Sequence, residues 1–273
     1  MDTILVLDFG GQYCHLISRR VRDLGVYSEI LPYNASLEKI SDVQPKGIIL
    51  SGGPASVYDE DAPTISRELV DFCTAAGIPL LGLCYGHHLL AQILGGQVTP
   101  HAKKEYGKTP LKVIKAEDVL AELQEEEVVW MSHGDQVESL PDGFEVYAST
   151  ELCPVAAYGN NTMKIYGLQF HPEVRHTPSG DKILANFLFE ICRCEKSWEL
   201  TNLIPSLIQR IQDQVGEDGR VILGLSGGVD SSVAAMLLHR AIGDRLHCIF
   251  VNNGLLRKDE AEQVQQTFKD TLA

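Results

Sequence analysis

Residues 80–86, Leu-Leu-Gly-Leu-Cys-Tyr-Gly, constrain the fold more than any other stretch of the chain. A short apolar run stops at Cys84, Gly86 follows two positions later, and a helical pattern continues through Leu94. This is the order of a buried strand, a sharp turn carrying a nucleophile, and a helix, with cysteine in the place serine takes in other elbows. Gly82 and Gly86 permit the tight backbone. Such a turn exposes the sulfur beside a helix N-terminus, whose dipole favours thiolate. A buried structural cysteine after a strand is the competing reading of the same segment.

The surrounding pattern fixes the fold class. Apolar strands are expected near 3–8, 27–31, 46–50 and 80–83, with amphipathic helices near 12–24, 64–76 and 87–94. That alternation predicts an α/β fold, an open and mostly parallel sheet with helices on both faces. Ser51-Gly52-Gly53 and Cys84 both follow carboxyl ends of strands, where open α/β sheets place their sites. From about 97 to 169 the strands come more densely, separated by Pro and Gly turns, which predicts an antiparallel extension. Within it, Gln124-Glu125-Glu126-Glu127 reads as a solvated acidic loop. A helix near 179–192 closes this domain.

A boundary near 193–200 divides the chain into domains 1–194 and 195–273. In the second, a helix near 199–214 precedes a strand ending at 225. A helix near 230–241, a strand near 245–251 and a last helix near 257–271 follow. The chain has 273 residues, enough for one large domain and part of another. It has no apolar run long enough to span a membrane. A formal charge of −14 argues against a nucleic-acid or anionic-membrane surface, though not against local phosphate sites. Seven cysteines lack metal-ligand spacing, and Cys192-Arg193-Cys194 is too close for ordinary paired zinc ligation, so no metal site is expected. A reducing, cytoplasmic setting fits that usage.

A cysteine nucleophile needs a base, best held by a third group. Residues 164–174 form another apolar run, ending in His171-Pro172-Glu173-Val174. Pro172 fixes the backbone as it leaves the strand. With one residue between them, His171 and Glu173 can project into one site, the first as base and the second as its orienter. A surface His-Pro turn is the plainer reading. Leu50-Ser51-Gly52-Gly53-Pro54 is a strand end followed by two glycines whose bare amides can face an oxyanion. A simple turn would also use them. At 221–232, Val-Ile-Leu-Gly-Leu-Ser-Gly-Gly-Val-Asp-Ser-Ser is a strand, a glycine turn and a helix start, a layout that cradles phosphate. It is not a Walker A loop.

Together, Gly82–Gly86, Gln169–Glu173 and Leu50–Pro54 resemble the class I, triad-type glutamine amidotransferases. Residues 5–13, Leu-Val-Leu-Asp-Phe-Gly-Gly-Gln-Tyr, and 130–135, Trp-Met-Ser-His-Gly-Asp, are similar to the GMP synthetase family within that class, as is Phe250–Arg257. The resemblance implies a flavodoxin-like amidotransferase domain followed by part of an α/β ATP pyrophosphatase domain. It implies Cys84, His171 and Glu173 as catalytic groups, with an oxyanion hole from the amides of Gly52 and Tyr85 beside Gly53. It also implies a glutamine pocket at His88, Ser132, His133, Gly134 and Asp135. Asp135 could bind the glutamine ammonium or serve only as a loop aspartate. ATP contacts carry over to Ser226, Gly227, Gly228, Val229, Asp230, Ser231 and Ser232. The family reaction uses glutamine, XMP and ATP with Mg²⁺, without a prosthetic group, and releases GMP, AMP, pyrophosphate and glutamate. The family is usually homodimeric. Its dimerisation domain is missing here, and its ATP domain should continue for on the order of 100 residues or more.

Two positions depart from the family pattern. The residue four after the nucleophile is usually Gln and here is His88, which lacks the paired donor and acceptor of a carboxamide. Weaker glutamine binding is expected, unless His88 substitutes adequately. Protonated, it would add a cation beside the sulfur. The usual acidic residue before Asn253 is Asn252, which removes a negative charge near the nucleotide loop. Competing readings are another triad amidotransferase, against which the Ser226–Ser232 loop speaks, and an inert or docking fragment.

Overall fold

The computed structural model describes residues 1–252, 254, 261–264, 266 and 268. The chain divides into two compact units, Met1–Trp198 and Glu199–Ala273. The first runs β1 (Thr3–Asp8), α1 (Cys14–Asp23), β2 (Tyr27–Pro32), α2 (Leu37–Val43), β3 (Gly47–Leu50), α3 (Arg67–Ala76), β4 (Leu80–Leu83), α4 (Tyr85–Ile93) and β5 (Gln97–Val113). It continues through β6 (Glu126–Ser139), β7 (Glu145–Ser149), β8 (Ala157–Asn160), β9 (Ile165–Leu168) and α5 (Gly180–Ala185).

All nine strands join one sheet, in the order β2-β1-β3-β4-β9-β8-β7-β5-β6. The pairs from β2 to β9 are parallel and those from β9 to β6 antiparallel. This is the expected mostly parallel sheet with an antiparallel extension. Alternation along β1 sorts its side chains between two cores. Ile4 and Val6 pack with Ile17 and Val21 of α1 and with Ile183 and Leu184 of α5. Leu5 and Leu7 pack on the other face with Ile40 of α2, Leu69 and Val70 of α3, and Leu89 and Leu90 of α4. Strands covered on both faces lose the polar alternation of a half-exposed sheet, so β3 and β4 are apolar and buried throughout.

Three local details differ from the expectations. The helix expected from 64 starts at Arg67, where Ser66 caps it by accepting from the Leu69 amide at 3.2 Å. The acidic run at 124–127 is only half a loop, because Glu126 and Glu127 open β6. Glu127 also accepts from Ser179 Oγ at 2.7 Å, which fixes it to the loop before α5. After α5 the helix widens to π geometry over Asn186–Ile191. Asn186 stands at that transition, its amide donating to the carbonyls of Val119 and Ala121.

The second unit holds α6 (Leu200–Val215), β10 (Val221–Leu225), α7 (Val229–Ile242) and β11 (Leu246–Phe250), with β10 and β11 parallel. Residues 261–264 are helical. Most of the helix expected near 257–271, and Asn253 and Leu255–Arg257, lie outside the described residues.

Candidate active site

β3, β4 and β9 are neighbouring parallel strands, so their carboxyl ends meet at one edge of the sheet. Three motifs far apart in sequence are therefore brought together: the glycine turn after β3, Cys84 after β4 and His171 after β9. The backbone of Cys84 is held at φ 53° and ψ −101°, in a region an L-residue rarely enters. Its amide donates to the Leu168 carbonyl at 2.8 Å and its carbonyl accepts from His88 at 3.2 Å, so strand and helix impose the bend. Added β-carbons show why both flanking positions are glycine. At Gly82 one would lie 2.4 Å from the Gly86 carbonyl oxygen, and at Gly86 2.6 Å from Leu50.

His171 Nδ1 donates to Glu173 Oε1 at 2.8 Å, and both side chains are buried. That leaves the other ring nitrogen for the sulfur, and Cys84 is among the groups that raise the His171 pKa. Burial alone would lower the His171 pKa. The Glu173 charge and the hydrogen bonds to Cys84 and Glu173 outweigh it and hold the pKa well above its ordinary value. The peptide carrying His171 is also fixed. The His171 amide donates to the Trp130 carbonyl at 3.1 Å, and Thr177 Oγ1 donates to the His171 carbonyl at 2.7 Å. Arg20 Nε donates to the Glu173 carbonyl at 2.9 Å.

Gly52 packs between the side chains of Cys84 and His171. A β-carbon there would lie 3.3 Å from His171 Cε1 and 3.6 Å from Cys84 Cβ. Gly53 abuts Phe9 and the Tyr85 ring. Ser51 holds this turn: its Oγ accepts from the Phe9 amide at 3.0 Å and donates to the Gly52 carbonyl at 2.9 Å. Its carbonyl accepts from Gly86. The amides of Gly52, Gly53 and Tyr85 find no acceptor among the described residues.

A cleft of about 700 Å³ opens over the sulfur, lined by Gly52, Gly53, Cys84, Tyr85, His88, Ser132, His133, Gly134, Asp135 and His171. The Ser132 carbonyl lies 3.7 Å from Cys84 Sγ. Asp135 accepts from Ser56 Oγ at 2.6 Å and from Tyr58 Oη at 2.8 Å, leaving lone pairs free on each carboxylate oxygen. His88 is buried, with Nε2 2.6 Å from Gln169 Oε1. Burial pushes its pKa down to about 4 against the Gln169 bond, which favours the neutral ring near pH 7. Thr177, Arg20 and Glu105, which pairs with His133, are contacts the sequence left unnamed, and Gln169 entered it only as the first residue of a motif. Only the position of Gln169, two before His171, gave a local signal.

The glycine loop of the second unit follows β10 and opens α7, with Gly227 at φ 76°. Ser226 Oγ lies 3.0 Å from Ser231 Oγ and accepts from the Gly228 amide at 3.3 Å. Ser231 Oγ and Ser232 Oγ both donate to the Gly228 carbonyl, at 3.1 and 2.9 Å. Val229 and Asp230 are exposed on the first turn of α7, and Asn252 is exposed after β11. No cluster able to hold a metal ion occurs among the described residues, and no helix among them is long and apolar enough to cross a membrane.

Residues 5–191 match the class-I glutamine amidotransferase family, and residues 201–271 match the NAD synthase family. The GMP synthase [glutamine-hydrolyzing] of Carboxydothermus hydrogenoformans is 54% identical over 267 residues, 98% of this chain and 52% of that protein. The protein of the same description from Caldicellulosiruptor saccharolyticus is 53% identical with the same coverage. The chain thus spans about half the length of the curated relatives it matches. Among solved structures, a Thermoplasma acidophilum protein assigned as one subunit of a GMP synthase superposes with a TM-score of 0.61. The two are 34% identical, and the match covers 71% of this chain and 94% of the other. A Thermotoga maritima glutamine amidotransferase shares the fold at 18% identity and a TM-score of 0.58. Because the first match runs through most of the chain and takes in every strand of the nine-stranded sheet, the chain belongs to the class-I glutamine amidotransferases.

Proposed function

We propose that the first unit is a glutaminase and that the second begins the nucleotide-activating half of a glutamine-hydrolysing GMP synthase. The observation that carries this reading is the buried Cys84–His171–Glu173 constellation, with the nucleophile on a strained elbow beside free backbone amides. His171, protonated because its pKa is raised, already holds the thiol proton as the Cys84 sulfur attacks the carboxamide carbon of glutamine. The developing oxyanion is received by the amides of Gly52 and Tyr85, with Gly53 adjacent. The imidazolium then protonates departing ammonia, and water cleaves the glutamyl thioester with His171 as base. Glu173 keeps the ring in the tautomer that accepts at Nε2. Asp135, beside Ser132, His133, Gly134 and His88, receives the glutamine ammonium through its free lone pairs.

In the complete reaction ATP, presented with Mg²⁺, adenylylates XMP with release of pyrophosphate, and ammonia then displaces AMP to give GMP. Ser226–Ser232 would cradle the ATP phosphates. The division into an amidotransferase domain at 1–194 and an ATP pyrophosphatase segment at 195–273 belongs to this proposal, as does a homodimeric whole protein. The seven cysteines are all free, which suits a reducing cytoplasm.

Ammonia release from glutamine by the purified chain, beside a Cys84→Ala control, tests the first half. Release that disappears in the control is the expected result. Release that persists without the sulfur would overturn the reading.

A further inference from the structure

A second carboxylate–histidine pair lies behind the cleft, outside the reacting triad. Glu105 on β5 faces His133 on β6, with Nε2 to Oε2 at 3.2 Å, and both side chains are buried. Thr150 Oγ1 holds the same carboxylate at 3.0 and 3.1 Å, and is itself fixed by the Leu152 and Cys153 amides. On its other side His133 Nδ1 lies 2.8 Å from the Asp135 carbonyl. A register shift between Pro100 and Glu105 is what places Glu105 opposite His133, five residues of β5 spanning two of β6. Irregularities of this kind re-aim side chains beside sites.

The contacts form one chain, Thr150 to Glu105 to His133 to Asp135, ending on Ser56 and Tyr58 across the cleft. Within the same stretch the Ser132 carbonyl stands over the Cys84 sulfur. We propose that Glu105 is a positioning residue that, through His133, holds Ser132–Asp135 as the glutamine-facing wall of the Cys84 cleft. The inference rests on the glutaminase reading and extends it to a residue that touches neither substrate nor sulfur.

Proton inventory supplies a discriminating test. A carbonyl only accepts, so Nδ1 carries a proton toward Asp135. A neutral ring then offers only a lone pair at Nε2, and the bond to Glu105 needs one more proton, on either partner. Glutamine at 105 meets both demands: its amide N–H donates to Nε2 and its carbonyl accepts from Thr150. Leucine at 105 fills the space and meets neither.

The experiment compares capture of Cys84 by a chloroketone analogue of glutamine with alkylation by iodoacetamide, which needs no glutamine pocket. In Glu105→Leu the half-saturating analogue concentration should rise about tenfold or more, as expected for a broken buried hydrogen-bond chain. Its iodoacetamide rate should stay at the wild-type value. Glu105→Gln should lie within about threefold of wild type, since its bonds are retained. If Glu105→Leu does not fold, Glu105→Met fills the same space with a more adaptable side chain that likewise offers Nε2 no donor, and it should show the same split. Wild-type capture by the leucine or methionine variant, or capture by Glu105→Gln as poor as by the leucine variant, overturns the proposal. If the wild-type chain reacts with iodoacetamide at Cys84 but is never captured by the analogue, the glutaminase reading itself fails and this inference with it.

Discussion

Replacing His88 by glutamine should flatten the acid side of the stability profile. In the folded chain burial depresses the His88 pKa from 6.5 to about 4. The unfolded state therefore binds the proton more readily, and folding free energy is lost as pH falls below the unfolded value of 6.5. At 1.36 kcal/mol per unit, the whole window from 6.5 to about 4 corresponds to about 3 kcal/mol, of which about 2 kcal/mol is lost by pH 5. His87, fully buried and also depressed, contributes in the same direction. His171 is raised, so its contribution is present below 6.5 and lost as pH rises through its folded value. Both terms remain in the variant, and the difference between the two proteins isolates His88, apart from the share of the His87 depression that His88 causes. Urea unfolding at pH 8 and pH 5 reads this directly. The two tryptophans, Trp130 and Trp198, both lie in Met1–Trp198, so their fluorescence reports the unit that contains His88. The loss of stability between the two pH values should be about 2 kcal/mol smaller in His88→Gln. Equal losses in the two proteins would mean that His88 titrates like a solvated imidazole, and the argument from its burial would fall.

Glu173→Gln should lower glutaminase kcat/KM by about two orders of magnitude, since it weakens both the orientation and the charge support of the base. Because the Glu173 charge helps hold the His171 pKa up, the pH at which this histidine gains its proton should move downward, which a pH–rate profile will show. Gly86→Ala should cost about 1–3 kcal/mol, because the added methyl meets Leu50 at 2.6 Å and α4 must move off β3. A lower urea midpoint, with glutaminase activity falling alongside it, is the expected result.

The legible part of the fold is the part whose burial is uniform. β1, β3 and β4 are covered on both faces, so each is a plain apolar run, and the helices between them carry one apolar stripe each. The antiparallel edge is harder to read. In β6 buried and exposed residues alternate, so Glu126 and Glu127 have the composition of a loop although they begin a strand. The π turn after α5 has no periodic signature of its own, and its stabilising contacts come from Val119 and Ala121.

The same division separates the parts of the candidate site. The elbow around Cys84 and the His171–Glu173 pair are encoded by neighbours in sequence: a glycine on each side of the cysteine, a proline between histidine and carboxylate. What supports them comes from a distance. Arg20 reaches Glu173 across 153 positions, and Glu105 meets His133 and Thr150 across 28 and 45. No local pattern marks such residues, because sheet order and register bring them together. His88 shows the consequence most plainly. Read beside the sulfur in sequence, it was open to acting as a cation. Set on α4 among buried side chains and bonded to Gln169, it is neutral, because desolvation outweighs every favourable contact it makes. Its identity could be read from the chain, but its charge depends on the burial that the assembled sheet and helix impose.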